Sequence, residues 1–259
     1  MKKHLRAFAT VAVSLTLASA QAQMGGRPGM GPQGPQFTGA MAKVFGENTA
    51  FSANMEIQAD MGGQAMTMPA KLSYNKGQTR MEMDLTAVKG GHLPPQALGQ
   101  LKAMGMDSMV TINQPDKKMT YLVYPGLQAY CEMPLQNPDA AKAESDFKVA
   151  TTELGKETVA GHDCVKNKVV VTDKDGASQE FTVWNATDLK NFPVKLEMTQ
   201  RGVASTITFS DIKLGAPEAS AFTPPSDFKK YDSMQAMMQQ EMMKHMGNMQ
   251  NMGHPPQQQ

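Results

Sequence analysis

Cysteine is nearly missing from this chain: two residues in 259, Cys131 and Cys164. That scarcity excludes a cysteine-rich zinc site and a multiply bridged scaffold. Neither residue lies in a CxxC, so a redox dithiol is excluded as well. An excess of either charge is missing too, with Lys plus Arg at 25 and Asp plus Glu at 24. Three of the cations, Lys2, Lys3 and Arg6, fall in a segment expected to be removed, which leaves 22 against 24. A chain so balanced has little electrostatic drive onto phosphate backbones, and no nucleic-acid partner is expected. Catalytic signatures are absent: there is no GxSxG, SxxK, HExxH or Gly-rich phosphate loop. No catalytic residue is therefore assigned, and the chain reads as a non-enzyme.

A long apolar run is also missing. Residues 7–19 are apolar but fall short of the roughly 20 needed to cross the hydrocarbon. Preceded by basic MKKHLR and followed by the small residues Ala18-Ser19-Ala20 and Ala20-Gln21-Ala22, this run reads as a signal peptide over 1–22. No cysteine follows it to accept a lipid anchor. The expectation is an exported, periplasmic chain with no stable membrane insertion. Outside the cytoplasm thiols oxidise, so a single Cys131–Cys164 disulfide is the economical reading, with two buried free thiols as its alternative. Such a bridge would contribute about 3 to 4 kcal/mol.

Methionine is what the chain has in abundance, 24 residues. Residues 23–36 follow as a flexible leader: Met24–Gln36 holds five Gly and three Pro and can bury almost nothing. A second composition shift begins after Tyr231, where a Met- and Gln-rich tail occupies 232–259. The folded domain is expected over 37–231.

Within it the dominant signal is period two. Phe51, Ala53, Met55, Ile57 and Ala59 alternate with polar residues, as do Met81, Met83 and Leu85. Met66 to Tyr74 forms a strand between them, and Asn75-Lys76-Gly77-Gln78 is a hairpin turn. Eight further strands are readable, around 109–113, 118–124, 128–132, 148–154, 165–172, 179–184, 194–198 and 205–212. About ten or eleven strands must curl, because strand twist accumulates. Helices are expected over Gly39–Glu47, Pro95–Met104 and, on the surface, after Asn137. The fold class is mainly β with some α: an antiparallel sheet bent into a barrel or half-barrel, on which the helices can lie.

Single residues were weighed for chemistry. His162, Asp163 and Cys164 read as a strand entry, and His92 as a solvated loop residue. Arg80 is expected to pair with a cross-strand carboxylate, and Trp184 to pack in the core. In the tail, Met234, Met238, Met242, Met246, Met249 and Met252 share one side of a helix, with Met237 nearby and Met243 opposite. That stripe is expected to dock on the sheet or a partner, with a disordered tail, as its Gln-rich flanks, Gly247 and Gly253 allow, as one alternative. The other alternative is a Cu(I) site formed by Met238, Met242, His245, Met246 and Met249, since thioether sulfur suits soft copper; otherwise no cofactor is expected.

Several runs resemble a known family. The opening helix, strand Phe51–Asp60 and hairpin ending Gly77-Gln78-Thr79-Arg80-Met81-Glu82 look like the start of periplasmic lipoprotein carriers of the LolA/LolB type. Leu154-Gly155-Lys156-Glu157-Thr158-Val159-Ala160-Gly161-His162, Val183-Trp184 and Phe192-Pro193-Val194-Lys195-Leu196-Glu197 resemble outer-membrane lipoprotein-sorting relatives, as does Phe222-Thr223-Pro224-Pro225 before Phe228. Asp116-Lys117-Lys118, Tyr124-Pro125-Gly126 and Tyr130 resemble an uncharacterised bacterial branch of that superfamily. The resemblance implies a curved antiparallel half-barrel with a helical lid over its concave side, a shape that relatives use to hold acyl chains. It also implies a lipid or an acylated protein as partner. The Met-rich tail and the possible disulfide depart from the carriers.

The functional expectation is an exported binding module. Its alternating strands leave more apolar sheet than the lid helices can cover. Phe51, Met55, Ile57, Met81, Met83 and Leu85 are the expected ligand-binding lining. An envelope interaction module without a ligand is the remaining alternative.

Overall fold

A computed structural model describes residues 39–60, 63–90, 95–135, 147–200 and 202–251. All of them belong to one unit of the chain, Pro35–Gln259. The signal peptide, the leader, His92, the helix after Asn137 and Met252 lie outside the described residues.

The fold grows from hairpins. Strand β1 (Ala50–Asp60) pairs antiparallel with β2 (Ala65–Asn75), and β2 turns directly into β3 (Gln78–Asp84). Asn75 faces Gln78 across that turn, and its two central residues, Lys76 at φ 45° and Gly77 at φ 91°, are both left-handed. This geometry matches the twist of the strands it joins, and glycine adopts it without strain. After the two-residue β4 (Lys89–Gly90) and helix α2 (Pro95–Ala103) come β5 (Ser108–Gln114), β6 (Met119–Tyr124) and β7 (Ala129–Pro134). Each of their links is a short 3-10 turn opened by a proline, Pro115 or Pro125, and closed by a left-handed residue, Lys118 or Gln128. Proline sets the first φ and lacks the N–H that a strand would need there.

A second run of hairpins follows: β8 (Phe147–Val159), β9 (His162–Asp173), β10 (Ser178–Ala186), β11 (Phe192–Gln200) and β12 (Val203–Leu214). β12 closes onto β1, so the two runs join in one 13-stranded sheet. Its order is β13-β7-β6-β5-β3-β2-β1-β12-β11-β10-β9-β8, with β4 beside β2, and its two edges do not meet. It is an open half-barrel. β-Bulges interrupt the β1–β12, β8–β9 and β10–β11 pairings, and each bends its strand. The concavity is visible in the packing: the rings of Phe51 on β1 and Phe192 on β11 meet at 4.8 Å across the intervening β12.

Eleven of the strands were legible in the sequence; β4 and β13 (Lys229–Tyr231) were not. β13 also breaks the antiparallel rule. It runs parallel to β7, because the chain leaving β12 first crosses the outer face of the sheet. On that crossing Phe222 lies 2% exposed against Val110, Ile112, Tyr121 and Val123, with Phe228 beside them. Gln114 donates its amide to the Phe222 carbonyl, and the Arg80 Nη1 donates to the Ala221 carbonyl at 3.2 Å. Arg80 also binds Glu82 at 2.7 Å, two residues along its own strand rather than across to a neighbour.

Two helices flank the strands. Helix α1 (Gly39–Val44) runs into a turn that carries Phe45 into the sheet. Helix α3 (Met234–Asn251) extends the fold past Tyr231. Met237 is 0% exposed, and Tyr231 donates its hydroxyl to Glu241 at 2.7 Å. Of the expected stripe, Met234 packs against the cluster that holds Tyr231 and Met237. Met238, assigned to the apolar side, is 39% exposed, while Met237 is the residue that seals the contact.

The expected disulfide is not formed: Cys131 and Cys164 are both free and buried. They sit on β7 and β9, nine places apart in the strand order, and in different apolar clusters. A bridge needs Cα atoms within about 7 Å, which that separation denies. Burial pushes both thiols above their ordinary pKa, as suits inert packing groups.

Candidate functional site

Cross-strand register defines the inner face residue by residue. One row runs Ala53, Leu72, Met81, Thr111, Leu122, Cys131 and Tyr231 across β1, β2, β3, β5, β6, β7 and β13. A second runs Phe209, Met55, Ala70, Met83 and Met109. A third runs Val183, Leu196, Ile207, Ile57 and Met68. None of these residues carries a charge. The outer face has the opposite character: Glu56, Lys71, Arg80, Glu82, Lys195 and Glu197 all fall on the alternate positions.

The inner face is not uniformly available. Beneath α1 it is closed, because Phe45 packs its ring at 4.7 Å from Phe51, 5.4 Å from Phe192 and 5.6 Å from Phe209. Phe51, Met55 and Ile57, expected to line a binding hollow, are 0%, 7% and 1% exposed in this core. The reason is physical: a single aromatic side chain from the lid covers more of the sheet than the short apolar stripe of α1 suggests. At the opposite end a second cluster closes around Met106, Tyr124, Ala129, Cys131, Tyr231 and Met237, with Leu101 of α2 packed against it.

Between the two clusters lies a less buried patch, with Met81 and Met83 packed against the first and Met109 and Leu122 against the second. Met81 and Met83 on β3, Met109, Thr111 and Asn113 on β5, and Leu122 on β6 are all half-buried, on one face, in adjacent register. On β5 the usual order is inverted. The residues under the outer crossing, Val110 and Ile112, are 4% and 0% exposed, and those facing the hollow are the less buried set. Leu85, the sixth expected lining residue, is half-buried but lies outside the strand, in a 3-10 turn over Leu85–Ala87 capped by the Asp84 carboxylate. Thr86 hydrogen bonds hold that carboxylate below its usual pKa.

Half-buried thioethers give this patch its chemistry. Methionine is unbranched and polarisable, so it conforms to apolar guests of irregular shape. Tyr124 at the edge points its hydroxyl at the Met109 sulfur, 3.6 Å away, and burial raises its pKa to about 12. One polar row borders the patch: Asn113 donates to the Thr79 hydroxyl at 3.0 Å and accepts from the Thr120 hydroxyl at 2.8 Å. Sequence reasoning found Met81 and Met83 but not Met109, Thr111, Asn113 or Leu122. Their alternation was visible, but their availability depends on the outer crossing, which has no local signal.

The remaining candidates are structural. Trp184 is 2% exposed, lies beneath Lys195 and Lys166 at 4.2 and 4.8 Å, and donates its indole N–H to Glu157 at 2.6 Å. His162 meets Asp188 at 2.8 Å, and the Cys164 thiol donates to the His162 carbonyl. Among the described residues no group of three or more His, Cys, Asp or Glu could hold a metal ion. Of the tail residues weighed for copper, Met238 is exposed, and the side chains of Met242, His245, Met246 and Met249 lie outside those described.

Comparison with known proteins gives a family. Residues 51–192, more than half of the chain, match the model of a family described as a domain of unknown function (DUF4412). None of the curated proteins matches the chain. Among solved structures the chain is similar to the LolA superfamily protein NE2245 from Nitrosomonas europaea, at 14% identity and TM-score 0.34, over 71% of this chain and 94% of that one. It is also similar to the lipoprotein LppX from Mycobacterium tuberculosis, at 9% identity and TM-score 0.39, over 69% and 96%. A third is LprF from Mycobacterium bovis, at 13% identity and TM-score 0.39, over 73% and 95%. These are likenesses of fold.

Proposed function

The chain belongs to the DUF4412 family, and from that premise we propose that it is a binding module, not a catalyst. It holds an uncharged apolar ligand, the acyl chain of a lipid or of an acylated protein, on the open part of its inner face. One observation carries the reading: the inner rows are free of charge from β10 round to β7, yet at Met81, Met83, Met109, Thr111 and Leu122 of β3, β5 and β6 they are only half-buried. Fully burying a side chain of methionine or leucine size stabilises by about 1.5 to 3 kcal/mol. Several such side chains left half-wet in a row therefore favour a guest that covers them. The basic and apolar N-terminus supports export to the periplasm, and no described helix is long and apolar enough to cross a membrane.

Titration with N-phenyl-1-naphthylamine, a neutral fluorescent probe, tests this. Saturable fluorescence is expected, weakened at least about tenfold by Met83→Asp, which places a charge among the thioethers, and unaltered by Glu82→Gln on the outer face. Absence of saturable binding, or binding indifferent to Met83→Asp, would contradict the reading. A second reading, Cu(I) capture by the tail, is favoured by Met238 and Met243, whose side chains stand 39% and 55% exposed on α3. Competition for Cu(I) against a colorimetric chelator, with and without Met238→Leu and Met243→Leu, tests it: an unchanged affinity removes it.

A further inference from the structure

We propose that the ligand's polar end is itself uncharged, an ester, amide or hydroxyl group, and that it is received by Asn113 between Thr79 and Thr120. This rests on the binding reading above and narrows it to a class of lipid. The three side chains form one cross-strand row on β3, β5 and β6, on the same face as Met81, Thr111 and Leu122, and two residues along from them. They are the polar border of an apolar patch, which is the arrangement an amphiphile with one polar end requires.

Hydrogen-bond capacity sets what the row can receive. Thr79 and Thr120 are 4% and 9% exposed, and each is engaged with the amide: the Asn113 Nδ2 donates to Thr79, and its Oδ1 accepts from Thr120. These two bonds fix the amide's orientation. A primary amide has two N–H donors and an oxygen with two lone pairs, so each end of Asn113 keeps one further bond to give or accept. Asn113 is also the half-buried member, the one open to the hollow. It offers a donor to an ester carbonyl and an acceptor to a hydroxyl.

Charge decides against an anionic end. Among the described residues the inner-face strand positions beside this row hold no Lys or Arg, and Arg80 and Lys71 lie on the outer face. A carboxylate or phosphate seated on Asn113 would be partly desolvated with no cation to compensate, and burying an unpaired charge costs far more than burying a neutral polar group. A glyceride or fatty alcohol meets no such penalty.

The test displaces N-phenyl-1-naphthylamine with 1-oleoylglycerol or with oleate, which share one acyl chain, at about pH 9, where the carboxylate is ionised. The glyceride is expected to compete about tenfold better. Asn113→Leu, of similar volume, should abolish that preference; Thr120→Val, which frees the amide to rotate, serves if the first variant fails to fold. Oleate competing as well as the glyceride would overturn the proposal and assign the polar end to the exposed Lys117 and Lys118 of the neighbouring turn. A preference that survives both substitutions would overturn it too. In either case intact probe binding would leave the broader reading standing, whereas failure of the probe and both lipids would remove reading and proposal together.

Discussion

The two ends of the inner face are made from the same alternating pattern and behave differently. On β1, β2, β11 and β12 the inward residues are sealed into an aromatic core centred on Phe45. On β3, β5 and β6 they include thioethers, a threonine, an asparagine and a leucine left half-buried. The difference lies in what covers them. A helix turn delivers one rigid ring to the first set, while the segment that could have covered the second crosses the outer face instead and buries Val110 and Ile112. Alternation specifies which residues face inward; a separate piece of chain decides whether that face becomes core or site.

The largest expected effect breaks the sealed end. Phe45→Ala should cost about 3 to 5 kcal/mol in urea unfolding, because it empties the centre of a ring cluster that cannot collapse. Met237→Ala removes the residue by which α3 seals the second cluster, and should cost about 2 to 4 kcal/mol by the same measurement. A loss no larger than that of an exposed methionine would show that α3 is not anchored there.

The border between the second cluster and the patch can be probed by alkali. Burial favours the neutral form of Tyr124, raising its pKa from 10.0 to about 12 in the folded chain. Its contribution is complete below the unfolded pKa and is lost as pH rises through the folded one, so stability should fall between those two values. Tyr124→Phe should abolish that part of the decline, about 2 kcal/mol, as read from urea midpoints across the same pH range.

Smaller effects sharpen the contrast. Met81→Ala, in the open patch, should cost about 1 kcal/mol or less, since its side chain is only half out of water in the native state; a cost like that of Phe45→Ala would mean the patch is core. The smallest expectation is none: a reductant should leave the thermal midpoint unchanged, because no bridge joins Cys131 and Cys164. A downward shift would restore the disulfide.

The outline of the fold was legible because period two is a local property. Eleven strands, helices α1 and α2 and the turn at Lys76–Gly77 were each written in neighbouring residues. What escaped depends on distant segments meeting. β13 exists because Lys229–Tyr231 returns beside β7, and the free thiols follow from strand order, which no spacing between two cysteines reveals. The site was half legible for the same reason. Met81 and Met83 announced themselves by alternation, Phe51, Met55 and Ile57 announced themselves equally, and only the position of Phe45 separates the two sets.

The most direct measurement is native mass spectrometry of the full chain after exposure to 1-oleoylglycerol, beside its Met83→Asp variant. A one-to-one adduct on the wild type that the variant loses, with both folded by circular dichroism, is the predicted result. Equal adducts on the two proteins, or none on either, would mean that the thioether face of β3 and β5 holds no lipid.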